Sequence, residues 1–132
     1  MHETPVNFLL IDDDDINNFL SNELIKLYHP KVAIVSTLYV QDAINVLEEK
    51  IKNNIVLPQI ILVDINMPIL NGWDFLEAFE KMDANAIKNV RVYIYTSSIY
   101  YKDIERAKKY KSVIKLITKP LSQEMIDEIL FE

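Results

Sequence analysis

Four aspartates in succession, Asp12 to Asp15, follow the apolar run Val6-Asn7-Phe8-Leu9-Leu10-Ile11, and another, Asp64, closes the run Ile60-Ile61-Leu62-Val63. An acidic run by itself reads as a solvated loop in which Asp15 caps a following helix. The second acid changes that reading. Adjacent strands lie about 4.8 Å apart, so if the two runs are neighbouring strands their terminal carboxylates converge. Like charges at that spacing repel unless a cation neutralises them, and hard oxygen ligands suit Mg²⁺, which takes one or two protein carboxylates and keeps several waters. The arrangement reads as a divalent-metal site.

Two further apolar runs end on Thr96-Ser97-Ser98 and on Thr118-Lys119-Pro120. Alone, a hydroxyl after a strand is a helix cap and a lysine there is exposed surface. Beside a metal they take on another meaning, because phosphoryl transfer needs positive charge and hydrogen-bond donors around the equatorial oxygens. A carboxylate can be the attacking nucleophile. Asp64 is the candidate acceptor, with a threonine hydroxyl and the lysine ammonium as the donors.

The elements that must position these residues follow from periodicity. Short β-branched runs alternate with longer amphipathic stretches, giving five strand–helix pairs. The strands are expected at 6–11, 32–36, 60–63, 90–95 and 113–117. The first helix, from Asp15 to Tyr28, sets Ile16, Phe19, Leu20, Leu24 and Leu27 on one stripe and stops before Pro30. The second starts near Gln41, and the third starts near Gly72 with Trp73, Leu76, Phe79 and Met82 apolar. The fourth, about Tyr100 to Lys111, carries Lys102, Arg106, Lys108, Lys109 and Lys111, and the fifth follows Ser122 as N-cap. Five such units imply right-handed crossovers and a parallel sheet with helices on both faces, whose ligand site lies at the C-terminal strand edge.

Composition narrows the function classes. The 132 residues suit one domain, with a core from about 6 to 131 and no output domain following it, and 50% hydrophobic residues with a mean hydropathy of +0.04 are ordinary for a soluble chain. No stretch approaches the roughly 18 apolar residues of a membrane helix. Residues 1–5 lack the basic start and apolar run of a secretion signal, and there is no cysteine, so a cytoplasmic location is expected. The net charge of −6 argues against coating nucleic acid or anionic lipid. Residues 1–85 hold 5 Lys/Arg against 14 Asp/Glu, whereas residues 86–132 hold 9 against 6. The single glycine, Gly72, where average usage would give about nine, removes both Gly-rich phosphate loops from consideration.

Taken in order, Leu10-Ile11-Asp12-Asp13-Asp14, Leu62-Val63-Asp64-Ile65-Asn66-Met67-Pro68, Asn71-Gly72, Thr96-Ser97 and Lys119-Pro120 resemble the motifs of the receiver domains of two-component response regulators, and in particular stand-alone, chemotaxis-regulator-like ones. The resemblance covers the chain from Val6 to about Phe131. It implies a flavodoxin-like, doubly wound, three-layer α/β fold with strand order 2-1-3-4-5 and five helices. It also implies Asp64 as phosphoacceptor, Asp12, Asp13, Asp64 and the backbone carbonyl of Asn66 as Mg²⁺ ligands, and Thr96 and Lys119 as phosphoryl contacts. Asp14 aligns with a variable position and has no ligand role. A cis peptide is implied at Lys119–Pro120, where sequence alone only biases the preceding residue toward extended backbone. The family commonly has an aromatic residue where Leu116 stands; Tyr93, Tyr95, Tyr100 and Tyr101 surround the Thr96 segment and are candidates to move in its place. Gly72 is expected to supply a backbone conformation that other residues resist.

The function this implies is a phosphorylation-controlled switch. A sensor histidine kinase or phosphotransfer protein would phosphorylate Asp64 with Mg²⁺, and the surface of the fourth helix, fifth strand and fifth helix would change toward a downstream protein partner. The protein would be a monomer or a phosphorylation-dependent dimer, and would bind neither nucleic acid nor membrane. Two other roles share the chemistry: a phosphorelay shuttle, and a small Mg²⁺-dependent phosphohydrolase with an aspartyl-phosphate intermediate. The hydrolase would want a second acid beside its nucleophile, and Asn66 stands there instead. A receiver-like binding module that is never phosphorylated is disfavoured by the presence of all five site elements.

Overall fold

Alternation of apolar residues on both sides of each central strand decides the architecture. The computed structural model describes residues 6–131, so residues 1–5, expected to carry no secretion signal, lie outside the described residues. The strands are β1 (Asn7–Ile11), β2 (Ala33–Thr37), β3 (Ile60–Val63), β4 (Arg91–Thr96) and β5 (Val113–Thr118). All are parallel, in the order β2-β1-β3-β4-β5. The helices are α1 (Asp15–Tyr28), α2 (Val40–Lys52), α3 (Gly72–Phe79), α4 (Ala84–Ile87), α5 (Tyr101–Ala107) and α6 (Gln123–Phe131). Sheet order and three-layer arrangement are those expected of the flavodoxin-like fold.

Successive strand residues point to opposite faces. Leu9, Ile11, Ile61, Val63, Val92 and Ile94 therefore join one core with α2, α3 and α5, while Phe8, Leu10, Ile60, Leu62, Tyr93 and Tyr95 join a second core with α1 and α6. Because β1 and β3 are covered on both sides, they read as continuous hydrophobic runs. The edge strand β2 is largely exposed.

Three local features depart from the sequence expectations. α4, a single turn capped by Asp83, had no expected counterpart, because four residues are too few to show a helical period; the expected fourth and fifth helices are thus α5 and α6. α5 ends at Ala107 rather than near Lys111. On α1 the apolar stripe does not mark the buried face: Ile16, Phe19, Leu20 and Leu27 are exposed, and Asn18, Ser21 and Ile25 are buried. Hydrogen bonds allow this inversion. Asn18 Nδ2 donates to the Asp12 carbonyl at 2.9 Å and Ser21 Oγ lies 3.1 Å from the Tyr95 hydroxyl, so two polar side chains are satisfied in the interior. Among the described residues no helix is long and apolar enough to cross a membrane.

Candidate functional site

The sheet order makes β1 and β3 direct neighbours, with Ile11 opposite Val63, so the residues after them, Asp12 and Asp64, leave the sheet side by side. This is the edge where the strand order reverses, because β2 lies on one side of β1 and β3 on the other. Asp64 N–H continues the ladder to the Ile11 carbonyl at 3.0 Å, and Asp12 N–H reaches the Thr37 carbonyl at 3.1 Å. Carboxylate oxygens of Asp12, Asp13 and Asp64 all lie within 4.8 Å of one another. Asp12 and Asp64 are 2% and 7% exposed, whereas Asp13 is open to solvent.

Lys119, just past the end of β5, closes the group. Its Nζ sits 2.5 Å from Asp12 Oδ2 and 2.7 Å from Asp64 Oδ2. Burial alone would lower the ammonium's pKa, but the bonds from Asp12 and Asp64 outweigh it and hold the group above the ordinary lysine value. Each carboxylate has a second donor: Asn66 N–H gives 2.8 Å to Asp64 Oδ1, and Asp14 N–H gives 3.0 Å to Asp12 Oδ1. Three carboxylates against one ammonium leave a formal excess of two negative charges, open to solvent at Asp13. Hard oxygen donors with that excess fit a hydrated divalent cation such as Mg²⁺.

Thr96 ends β4 opposite Thr118, and its carbonyl accepts from Lys119 N–H at 2.8 Å. It is 0% exposed and its hydroxyl has no hydrogen-bond partner. Buried hydroxyls are nearly always bonded, so this one marks a place where an acceptor belongs. Asn22 and Ser112 also hold unpaired buried atoms, but in mid-α1 and before β5, away from the C-terminal strand edge.

Asp14, which the sequence left without a role, is the N-cap of α1, its carboxylate accepting from Ile16 and Asn17 N–H; the cap falls one residue before the expected Asp15. Asn17 escaped the sequence reading altogether. Its Nδ2 donates to Asp12 Oδ2 at 2.9 Å, and a polar residue in the first helical turn after Asp12 was the only signal.

Gly72 corrects an expectation about its cause. No glycine has positive φ. Instead, a Cβ at residue 72 would lie 2.6 Å from the Asp64 carbonyl oxygen and 2.7 Å from Ile65 Cα, so glycine lets the first turn of α3 press against the backbone of the acceptor candidate. The left-handed residue of this loop is Ile69, with φ 67°. The Lys119–Pro120 bond is cis, as the resemblance implies. Of the four tyrosines near Thr96, Tyr93 and Tyr95 are locked in the α1/α6 core, and only Tyr100 and Tyr101 are exposed.

The family model of the response regulator receiver domain matches residues 8–131. The chain belongs to that family. Among solved structures, a two-component response regulator from Cytophaga hutchinsonii is 32% identical, covering 98% of this chain and 96% of that one, with a TM-score of 0.88. A response regulator receiver protein from Dyadobacter fermentans is 25% identical over 95% and 94% of the two chains, with a TM-score of 0.82. A chemotaxis protein from Vibrio cholerae, 19% identical with 97% and 98% covered, shares the fold at a TM-score of 0.72. No curated protein matches. As a receiver domain the chain has its acidic cluster, hydroxyl and lysine where the strand ends of the fold converge.

Proposed function

We propose that this receiver domain is a phosphoacceptor switch in which Asp64 takes a phosphoryl group from a sensor histidine kinase or phosphotransfer protein. The observation that carries the reading is Lys119 Nζ held between Asp12 Oδ2 and Asp64 Oδ2 beside the carboxylate cluster. An oxygen of Asp64 attacks phosphorus as the bond to the donor's imidazole nitrogen breaks, the electron pair leaving with that nitrogen, and an acyl phosphate remains. Asp12, Asp13, Asp64 and the Asn66 carbonyl would hold Mg²⁺, which supplies charge neutralisation at the phosphoryl oxygens. Lys119 releases Asp64 and pairs with a phosphoryl oxygen, and the unpaired Thr96 hydroxyl donates to another. Water later hydrolyses the acyl phosphate.

The response leaves through α5, β5 and α6. A groove of about 320 Å³ runs between α5 and β5, lined by Ile104, Lys108, Ile114, Lys115 and Leu116 among others. Leu116, where the family commonly has an aromatic, is thus part of the groove wall. The lysines of α5 and the turn after it suit an acidic downstream protein. We read the chain as a receiver domain acting in the cytoplasm.

Incubation with phosphoramidate tests the acceptor. One phosphoryl group per chain is expected with Mg²⁺, with none after chelation and none in Asp64→Asn. Label persisting in Asp64→Asn overturns the assignment, and turnover of many equivalents per chain would indicate an enzyme.

A further inference from the structure

We infer that Tyr95 is a positioning residue for Lys119, its hydroxyl fastening the lysine-bearing turn to α1 and thereby setting the rate at which Asp64 is phosphorylated. The inference rests on the reading of Asp64 as acceptor.

Tyr95 immediately precedes Thr96, and strand alternation sends its ring to the opposite face, where it is 3% exposed. There its hydroxyl accepts the Leu121 N–H at 3.2 Å and lies 3.1 Å from Ser21 Oγ, itself buried on α1. The backbone chemistry of the turn gives this contact its weight. Proline has no N–H, so across Lys119-Pro120-Leu121 only the first and last residues can donate. Lys119 N–H goes to the Thr96 carbonyl and Leu121 N–H goes to the Tyr95 hydroxyl. Two consecutive residues of β4 therefore hold both backbone donors of the turn. The lysine itself also rests on this residue, with Nζ 5.4 Å from the centroid of the Tyr95 ring.

The other end of the tie is equally pointed. α1 carries Asn17, which donates to Asp12 Oδ2, and Asn18, which donates to the Asp12 carbonyl. Through Ser21 the turn that bears Lys119 is thus referred to the same helix that orients Asp12, one of the lysine's two carboxylate partners. During transfer the ammonium must exchange Asp64 for a phosphoryl oxygen while its backbone stays still. A base free to drift dilutes the productive geometry, and small misplacements of a charge-stabilising group are costly in rate.

The experiment compares wild type, Tyr95→Phe, Ser21→Ala and Tyr93→Phe as full chains. Tyr95→Phe keeps the ring and its contact with the ammonium and removes only the tie. Tyr93→Phe removes a hydroxyl two residues earlier on the same face, where it meets Arg91 instead. Phosphorylation is followed against phosphoramidate concentration at saturating Mg²⁺, Mg²⁺ affinity by calorimetry, and folding by thermal denaturation. The loss of both contacts of the Tyr95 hydroxyl, to Leu121 N–H and Ser21 Oγ, predicts a maximal rate about five- to tenfold lower in Tyr95→Phe, with an unchanged Mg²⁺ dissociation constant. Ser21→Ala shows a smaller loss of the same kind, and Tyr93→Phe shows none. A wild-type maximal rate in both Tyr95→Phe and Ser21→Ala overturns the inference and leaves the acceptor reading intact. So does a parallel fall of rate and Mg²⁺ affinity, which would mean general loosening of the fold. An unreactive wild type overturns the acceptor reading itself.

Discussion

At the scale of single residues, Lys119 and Thr96 have opposite relations to stability. Lys119 neutralises buried carboxylates, and removing one partner of a buried pair leaves charge uncompensated. Lys119→Met should therefore unfold at lower temperature than wild type in the absence of metal. With the ammonium gone the cluster's formal excess rises to three negative charges, so Mg²⁺ should bind more tightly and recover most of the lost melting temperature, while phosphorylation slows by about 100-fold for want of a charge-stabilising donor. Calorimetry, melting curves and the phosphoramidate assay read the three effects separately. Thr96 contributes a hydroxyl that is buried and unbonded, so it costs stability in the resting protein. Thr96→Val keeps the shape and deletes the cost. It should match or exceed wild-type stability by up to about 1 kcal/mol in urea denaturation, while beryllofluoride, a phosphoryl mimic, binds about tenfold more weakly.

At the scale of elements, two contacts tie α3 to its surroundings. The first is the close approach at Gly72, where a Cβ has no room against the Asp64 and Ile65 backbone. Gly72→Ala must displace α3 or the acceptor loop, and overpacking of this kind costs about 1–3 kcal/mol. A lower urea midpoint together with slower phosphorylation is expected, and wild-type behaviour in both would show that the loop yields freely. The second is a chain of side chains from α3 to α5. Arg106 lies over the Trp73 ring, Trp73 stacks on Tyr110, and the Tyr110 hydroxyl donates to Glu77 at 2.6 Å. Burial first, and then the Glu77 carboxylate, push the Tyr110 phenol above its ordinary value. A group whose pKa is raised on folding holds its proton longer in the folded state. Its stabilisation is complete below the unfolded value, about 10 for tyrosine, and disappears as pH climbs through the folded value. Lys119 is raised as well and acts in the same direction. Stability should thus fall on the alkaline side above about pH 10, and Tyr110→Phe should make that fall shallower, as urea midpoints measured across the window would show.

At the scale of the whole molecule, the limit on switching is arithmetic. Turning a 1:99 population into 99:1 takes about 5.5 kcal/mol of preference for one state, and one charge-assisted contact contributes about 1.5–3 kcal/mol. On the proposed function, a full switch needs Thr96 and Lys119 to act together, and either one alone gives a partial one. Beryllofluoride with Mg²⁺ should therefore shift the amide resonances of the α5/β5 groove fully in wild type and only partway in Thr96→Val. The strand–helix alternation, the parallel sheet and the converging residues Asp12, Asp13, Asp64, Thr96 and Lys119 were legible in the amino-acid order, because period-2 and period-3.6 patterns are local and a βα sheet sends its strand ends to one edge. Tertiary structure alone decided which face of α1 is buried, since Asn18 and Ser21 face inward only through partners such as the Asp12 carbonyl and Tyr95, distant in sequence or fixed by the sheet. It likewise decided that Gly72 answers a steric approach from Asp64 and Ile65 rather than a backbone dihedral, and that Tyr95 holds the turn after β5. Contacts of this kind join residues whose separation along the chain carries no period, so no pattern in the order of amino acids records them.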